Sequence, residues 1–284
     1  MNEANQIWCK YSADRTDDSG VEAIKLYMPV KGGYVNYNIV HSVMERTNCN
    51  TWRLSVAYFC DDSLSPVRPL TRSGAEWEMA LKIKERPDFI GGYAHGDEVF
   101  SKIAVTVDGV AKELDELSEV TAACELIFEV WSTGFDPLDS VSESLLHYKK
   151  LICNADGMRV EQRVEWLNDY ELGNSYMAML PPFKCETDHY FSDKDPEIKP
   201  IPNAGGFTEQ GDVKALYLCG EAGFTFCLKA EKYLTDKDTG NCCFVSDNGG
   251  VPYNKMYFLL MHKGSVCKED IWETVTEYAV TENE

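Results

Sequence analysis

Residues 158–166 alternate without a break between two faces. Met158, Val160, Gln162, Val164 and Trp166 fall on one side, and Arg159, Glu161, Arg163 and Glu165 on the other. A period of two belongs to an extended strand with one buried and one wet face, because successive side chains of a strand point to opposite sides. The pattern recurs along the chain. Ala75, Trp77, Met79, Leu81 and Ile83 share a face across 75–83, and similar runs occupy 22–28, 34–43, 52–60, 102–107, 124–132, 145–154 and 175–180. Others follow at 213–219, 223–230, 242–246 and 253–261, while 271–280 fits either a strand or a short amphipathic helix. Asp108-Gly109 and Asp156-Gly157 are dipeptides that favour tight hairpin turns. Roughly a dozen strands with turn signals between them, and no long helical patterns, predict an all-β fold. The expectation is an antiparallel two-sheet β-sandwich of jelly-roll type with little helix.

One domain is enough for this pattern. Hydrophobic residues make up 44% of the 284, which supports a substantial core. Residues 1–20 end in the polar run S-A-D-R-T-D-D-S-G and are expected to form an N-terminal arm, with 21–284 a single sandwich. Residues 184–212, rich in Asp, Pro and Gly, read as a long loop.

The net charge is −20, from 47 acidic and 27 basic residues. Such a field repels phosphate backbones and anionic membrane surfaces unless a local basic patch overcomes it, and Lys149-Lys150 is the densest basic pair in mid-chain. Neither nucleic acid nor membrane is an expected partner; neutral ligands or cations suit the field better. The 11 cysteines are odd in number, show no C-x-x-C spacing and sit mostly in apolar runs, which reads as buried, reduced thiols. The opening M-N-E-A-N-Q-I-W-C-K has no apolar signal core, and no window reaches the length of a membrane span. Synthesis in a reducing cytoplasm, without a signal peptide, is the expectation.

Four clusters carry candidate chemistry. The first, Gly91-Gly92-Tyr93-Ala94-His95-Gly96-Asp97-Glu98, sets an imidazole among an aromatic ring and two carboxylates, with Tyr93, His95, Asp97 and Glu98 as ligand-binding candidates. Its plain alternative is a glycine bulge with solvated acids. The second is the hairpin around Asp156-Gly157. If the polar faces of its two strands coincide, His147, Lys149 and Arg163 line one surface able to neutralise a carboxylate and abstract a proton. Cross-strand salt bridging is the alternative there. The third is Tyr176, placed to stack on a sugar or act as an acid, or else packed with its hydroxyl satisfied. The fourth, Asp236-Lys237-Asp238-Thr239-Gly240-Asn241, spaces acids like the opening of a calcium loop without the closing Glu. Asp236 and Asp238 are its candidate ligands for a structural Ca2+; no other cofactor is expected. There is no G-x-G-x-x-G after a strand, no P-loop, no G-x-S-x-G and no H-E-x-x-H, and His41, His95, His147, His189 and His262 never pair at zinc spacing.

With H-Y-K-K at 147–150, V-E-Q-R-V-E-W-L at 160–167 and a tyrosine-bearing strand at 176, the run 74–180 resembles the jelly-roll, concanavalin-like sandwiches of carbohydrate-active proteins, polysaccharide lyases included. The resemblance implies a glycan partner and a sheet face carrying His95, His147, Lys149, Arg163 and Tyr176. The chain also resembles phage- or prophage-encoded surface and tail proteins that touch host glycans. The expected function is a glycan-directed β-sandwich that binds a polysaccharide. In a catalytic version Tyr176 or His147 takes the proton, while Lys149 and Arg163 neutralise the carboxylate. The alternative is a non-catalytic structural or adhesion protein, such as a virion component, that assembles as a homo-oligomer.

Overall fold

The computed structural model describes residues 6–14, 20–75, 77–91, 95–202, 207–211, 213–232, 242–247, 250–261 and 264–283. The alternating runs become strands because each buries one face. The first group is β1 (Ile7–Ser12), β2 (Gly20–Val30), β3 (Gly33–Met44), β4 (Cys49–Cys60) and β5 (Pro66–Pro69). The second is β6 (Glu98–Val107), β7 (Val110–Lys112), β8 (Thr121–Ala123), β9 (Leu126–Phe135), β10 (Glu143–Asn154) and β11 (Gly157–Trp166). There follow β12 (Tyr170–Leu172), β13 (Ser175–Leu180), β14 (His189–Ser192), β15 (Lys199–Pro200), β16 (Phe207–Gly211) and β17 (Ala215–Cys219). The last are β18 (Phe224–Lys232), β19 (Cys242–Asp247), β20 (Asn254–Met261), β21 (Gly264–Val266) and β22 (Ile271–Glu282). Helical structure among the described residues amounts to 3-10 turns at Glu45–Thr47 and Leu114–Leu117 and one α-helical residue, His95. The all-β expectation holds.

Most strands join one long sheet in the order β15-β14-β17-β18-β22-β11-β10-β9-β6-β4-β3-β2-β1-β8. Its pairings are antiparallel except where β4 meets β6, through only Cys49↔Glu98 and Asn50↔Val99. At that narrow joint the sheet folds over, and its halves face each other. Trp52 of β4 lies 5.2 Å from Phe128 of β9, and Phe59 of β4 lies 5.5 Å from Phe224 of β18. Trp77 sits between the halves, 6.4 Å from Tyr37 of β3 and 5.8 Å from Tyr278 of β22. One apolar core runs through this sandwich. A second sheet, β13-β20-β19-β16, packs against it, and the β12-β21 pair lies beside a smaller core around Trp166 and Trp272.

Both hairpin signals mark real turns. Asp108 (φ 48°) and Gly109 (φ 78°) join β6 to β7, with two successive left-handed residues as a type I′ turn requires. Asn154 pairs with Gly157 across the β10–β11 turn.

Two expectations need amendment, and one left open between strand and helix is decided. Residues 75–83 do not form a strand; they make isolated bridges, Ala80↔Tyr176, Leu81↔Ile90 and Ile83↔Leu172. Trp77 and Met79 are core as expected, but Glu78 and Ala80 on the other face are buried too. The segment meets a different backbone at each bridge, Tyr176, Ile90 and Leu172, so no continuous ladder forms. Residues 184–212 are not merely a loop, because β14, β15 and β16 lie within them. The 271–280 run is a strand, β22, inserted between β11 and β18. Near the N-terminus, β1 pairs with both β2 and β8, and Ile7 and Cys9 are fully buried.

Candidate functional site

The β10–β11 register decides where the hairpin's polar residues go. His147 pairs with Val164, Tyr148 with Arg163 and Lys149 with Gln162. His147 and Lys149 therefore point inward with Gln162, while Arg163 points outward with Tyr148. The expected common surface of His147, Lys149 and Arg163 does not form, because the polar faces of the two strands are offset by one residue.

Inside the sandwich these groups are fully committed. His147 Nδ1 lies 2.9 Å from Glu98 Oε1, and its Nε2 lies 3.2 Å from Gln162 Oε1. Gln162 Nε2 donates to the carbonyls of Met177 (3.0 Å) and Glu78 (3.3 Å), which orients the amide oxygen toward the imidazole. Both partners of His147 present oxygens to the ring. Ser132 donates to Glu98 at 2.6 Å. Lys149 Nζ donates to the Trp52 carbonyl at 2.7 Å and to Glu78 Oε1 at 3.2 Å, and Glu78 also accepts from the Leu54 amide at 2.8 Å. These bonds tie β10 to β4 across the core. Burial alone would raise the Glu98 carboxyl, but His147, Lys149 and Ser132 hold it down to about 2.

The other candidates gather where residues 82–91, with His95, meet β13 and β20. His95 Nδ1 lies 2.5 Å from Asp88 Oδ1, and its ring is 4.8 Å from Phe89. Phe89 lies 6.4 Å from Tyr176, and Tyr176 lies 5.1 Å from Tyr257. Lys82 Nζ sits 5.0 Å from the centre of the Phe89 ring, and Lys255 Nζ 5.0 Å from that of Tyr257. The result is a half-exposed row of three aromatic rings with an imidazole–carboxylate pair at one end and an ammonium at each end ring. Rings in such a row offer flat apolar faces, and the polar groups beside them offer donors and acceptors.

The first sequence cluster is thus divided. His95 belongs to the aromatic row. Asp97 is buried in a left-handed conformation (φ 53°), with Oδ1 lacking a hydrogen-bond partner, and burial pushes its carboxyl up against a hydrogen bond from Ser140. Glu98 faces the core with His147. Tyr93 lies outside the described residues, as do Asp236 and Asp238. Gly91 and Gly96 serve packing: a Cβ on Gly91 would meet the Met79 carbonyl at 2.8 Å, and one on Gly96 the Thr47 carbonyl at 2.1 Å. Sequence reasoning missed Asp88, Phe89, Tyr257, Lys82 and Lys255. The one local signal was a lone aromatic in the charged run K-E-R-P-D-F.

Among the described residues, no group of three or more His, Cys, Asp or Glu stands close enough to hold a metal ion. No helix among them is long and apolar enough to cross a membrane. None of the nine cysteines whose state is described forms a disulfide; Cys9, Cys49, Cys60, Cys153 and Cys227 are buried, and Cys124, Cys185 and Cys267 are exposed.

No protein-family model and no curated protein sequence matches the chain. Its fold does match solved structures. The galactosidase domain of an alpha-galactosidase–sucrose kinase superposes with a TM-score of 0.51 and 8% identity, over 90% of this chain and 40% of that one. A galactose mutarotase-like protein from Clostridium acetobutylicum gives 0.50 and 7%, over 92% and 96%. The chain thus spans less than half of the first neighbour's length and nearly all of the second's. At such identity the likeness is one of fold. The expected likeness to carbohydrate-related β-sandwiches holds at that level.

Proposed function

We propose that this protein binds a saccharide on the Phe89–Tyr176–Tyr257 row, with His95 and Asp88 addressing its hydroxyls. The observation that carries the reading is this row, with an imidazole–carboxylate pair beside it. Aromatic faces take the apolar C–H face of a pyranose, while charged and polar groups at the margin fix its orientation. The fold neighbours are named for galactose chemistry, so hexoses and their short oligomers are the first ligands to test. In a catalytic version His95 is the proton-transfer group and Asp88 holds its tautomer. A lyase-type step would fall to His95 and Tyr176, since His147 and Lys149 are enclosed.

Calorimetric titration with a panel of mono- and oligosaccharides tests the proposal. Saturable binding is expected, weakened about tenfold by Phe89→Ala or Tyr176→Ala, the size of one aromatic contact worth ~1.4 kcal/mol. Absence of binding across neutral and acidic sugars, with the variants indistinguishable from the parent, would overturn it.

A further inference from the structure

The outer face of the main sheet carries a second constellation that shares no residue with the aromatic row above. Lys102 of β6 pairs in register with Trp131 of β9, Trp131 with Tyr148 of β10, and Tyr148 with Arg163 of β11. Four adjacent strands thus set cation, aromatic, aromatic and cation side by side. With neighbouring strands ~4.8 Å apart, the row spans about 14 Å between its two charged ends. Lys102 Nζ lies 4.5 Å from the Trp131 ring centre, and the Trp131 and Tyr148 rings are 5.1 Å apart at 42°. Beside them is a groove of about 500 Å³ lined by Ser101, Trp131, Thr133, Leu146, Tyr148 and Arg163.

Two features argue that the groove holds a ligand. Leu146 is 42% exposed next to the two half-exposed aromatics, on the wet face of a sheet where polar residues are the norm. In addition, a chain of net charge −20 places a cation at each end of the aromatic floor. Arg163 Nη1 lies 3.1 Å from Glu165 Oε2, Glu273 is its register partner on β22, and a guanidinium carries five N–H donors. Tyr148 is steadied by donating to Glu129 at 2.5 Å, and burial followed by that bond pushes its phenol well above the ordinary range, so it stays neutral. Neutral rings with a cation at each end suit a flat-faced, carboxylate-bearing ligand with hydroxyls for Ser101 and Thr133.

We propose that this groove is a second binding site, for a short acidic saccharide whose pyranose ring stacks on Trp131 and whose carboxylates pair with Arg163 and Lys102. The test is 19F NMR of the full chain labelled with 5-fluorotryptophan, with the Trp131 signal assigned by Trp131→Phe. Titration with trigalacturonic acid should shift that signal saturably, and the neutral galactose trisaccharide should not. Arg163→Gln and, independently, Lys102→Gln should each weaken the effect at least fivefold; both side chains are solvent-exposed enough for the fold to survive, which an unchanged melting temperature checks. Tyr176→Ala should leave the titration unaltered, so that this site and the one on β13 and β20 stand or fall separately. No saturable shift with trigalacturonic acid, an equal shift with the neutral sugar, or loss of the shift in Tyr176→Ala would overturn the proposal.

Discussion

Glu98 illustrates how a buried carboxylate keeps its charge. Burial opposes ionisation, yet His147, Lys149 and Ser132 together bring the group from 4.5 to about 2. Its pKa is lower folded than unfolded, so the ionised form contributes stability in full above ~4.5, and that contribution is lost as pH falls toward 2. The melting temperature is therefore expected to drop between those values, and Glu98→Gln should flatten that part of the curve while lowering the plateau at neutral pH. Thermal melts of both proteins across the acid range check this; an identical acid limb in the variant would show that Glu98 does not set it. The same residue shows a limit of sequence reasoning. Nothing local told that Glu98 would turn inward while His95, three positions earlier, stayed at the surface.

At the scale of elements, the segment 75–83 and the strand β11 make a useful pair. Both alternate cleanly, but only β11 has a neighbour on each side, β10 and β22, to accept its ladder. Glu78 and Ala80 are buried on the face opposite Trp77 and Met79, and the segment bridges to three different partners. Alternation reports which side chains seek the core; it does not report whether another backbone runs alongside. The loop leaving this segment depends on Gly96, which has φ 77° and no room for a Cβ beside the Thr47 carbonyl. Gly96→Ala is expected to destabilise the fold by more than about 1 kcal/mol and to weaken saccharide binding by displacing His95. Urea denaturation and the titration above measure the two effects, and a variant of unchanged stability would contradict this account of the turn.

For the whole molecule, the long sheet ends in two short edges, β8 of three residues and β15 of two, the latter closing on Pro200. Short, proline-bearing edges discourage sheet-to-sheet growth. Light scattering coupled to size exclusion should accordingly find a monomer near 32.1 kDa, and a stable trimer would mean that another surface assembles it. The chain's own pattern determined the all-β class, most strand positions, the hairpin turns and the burial of Trp77 and Met79, because period-two alternation and turn dipeptides are local properties. Only the tertiary structure decided which polar residues meet. The one-residue offset across β10 and β11 put His147 and Lys149 inside and Arg163 outside. The packing of 82–91 against β13 and β20, with His95 on Phe89, brought Asp88, Phe89, His95, Tyr176 and Tyr257 together. Such encounters join residues up to about 170 positions apart in the chain, and they follow from register and layer packing, which no local spacing encodes.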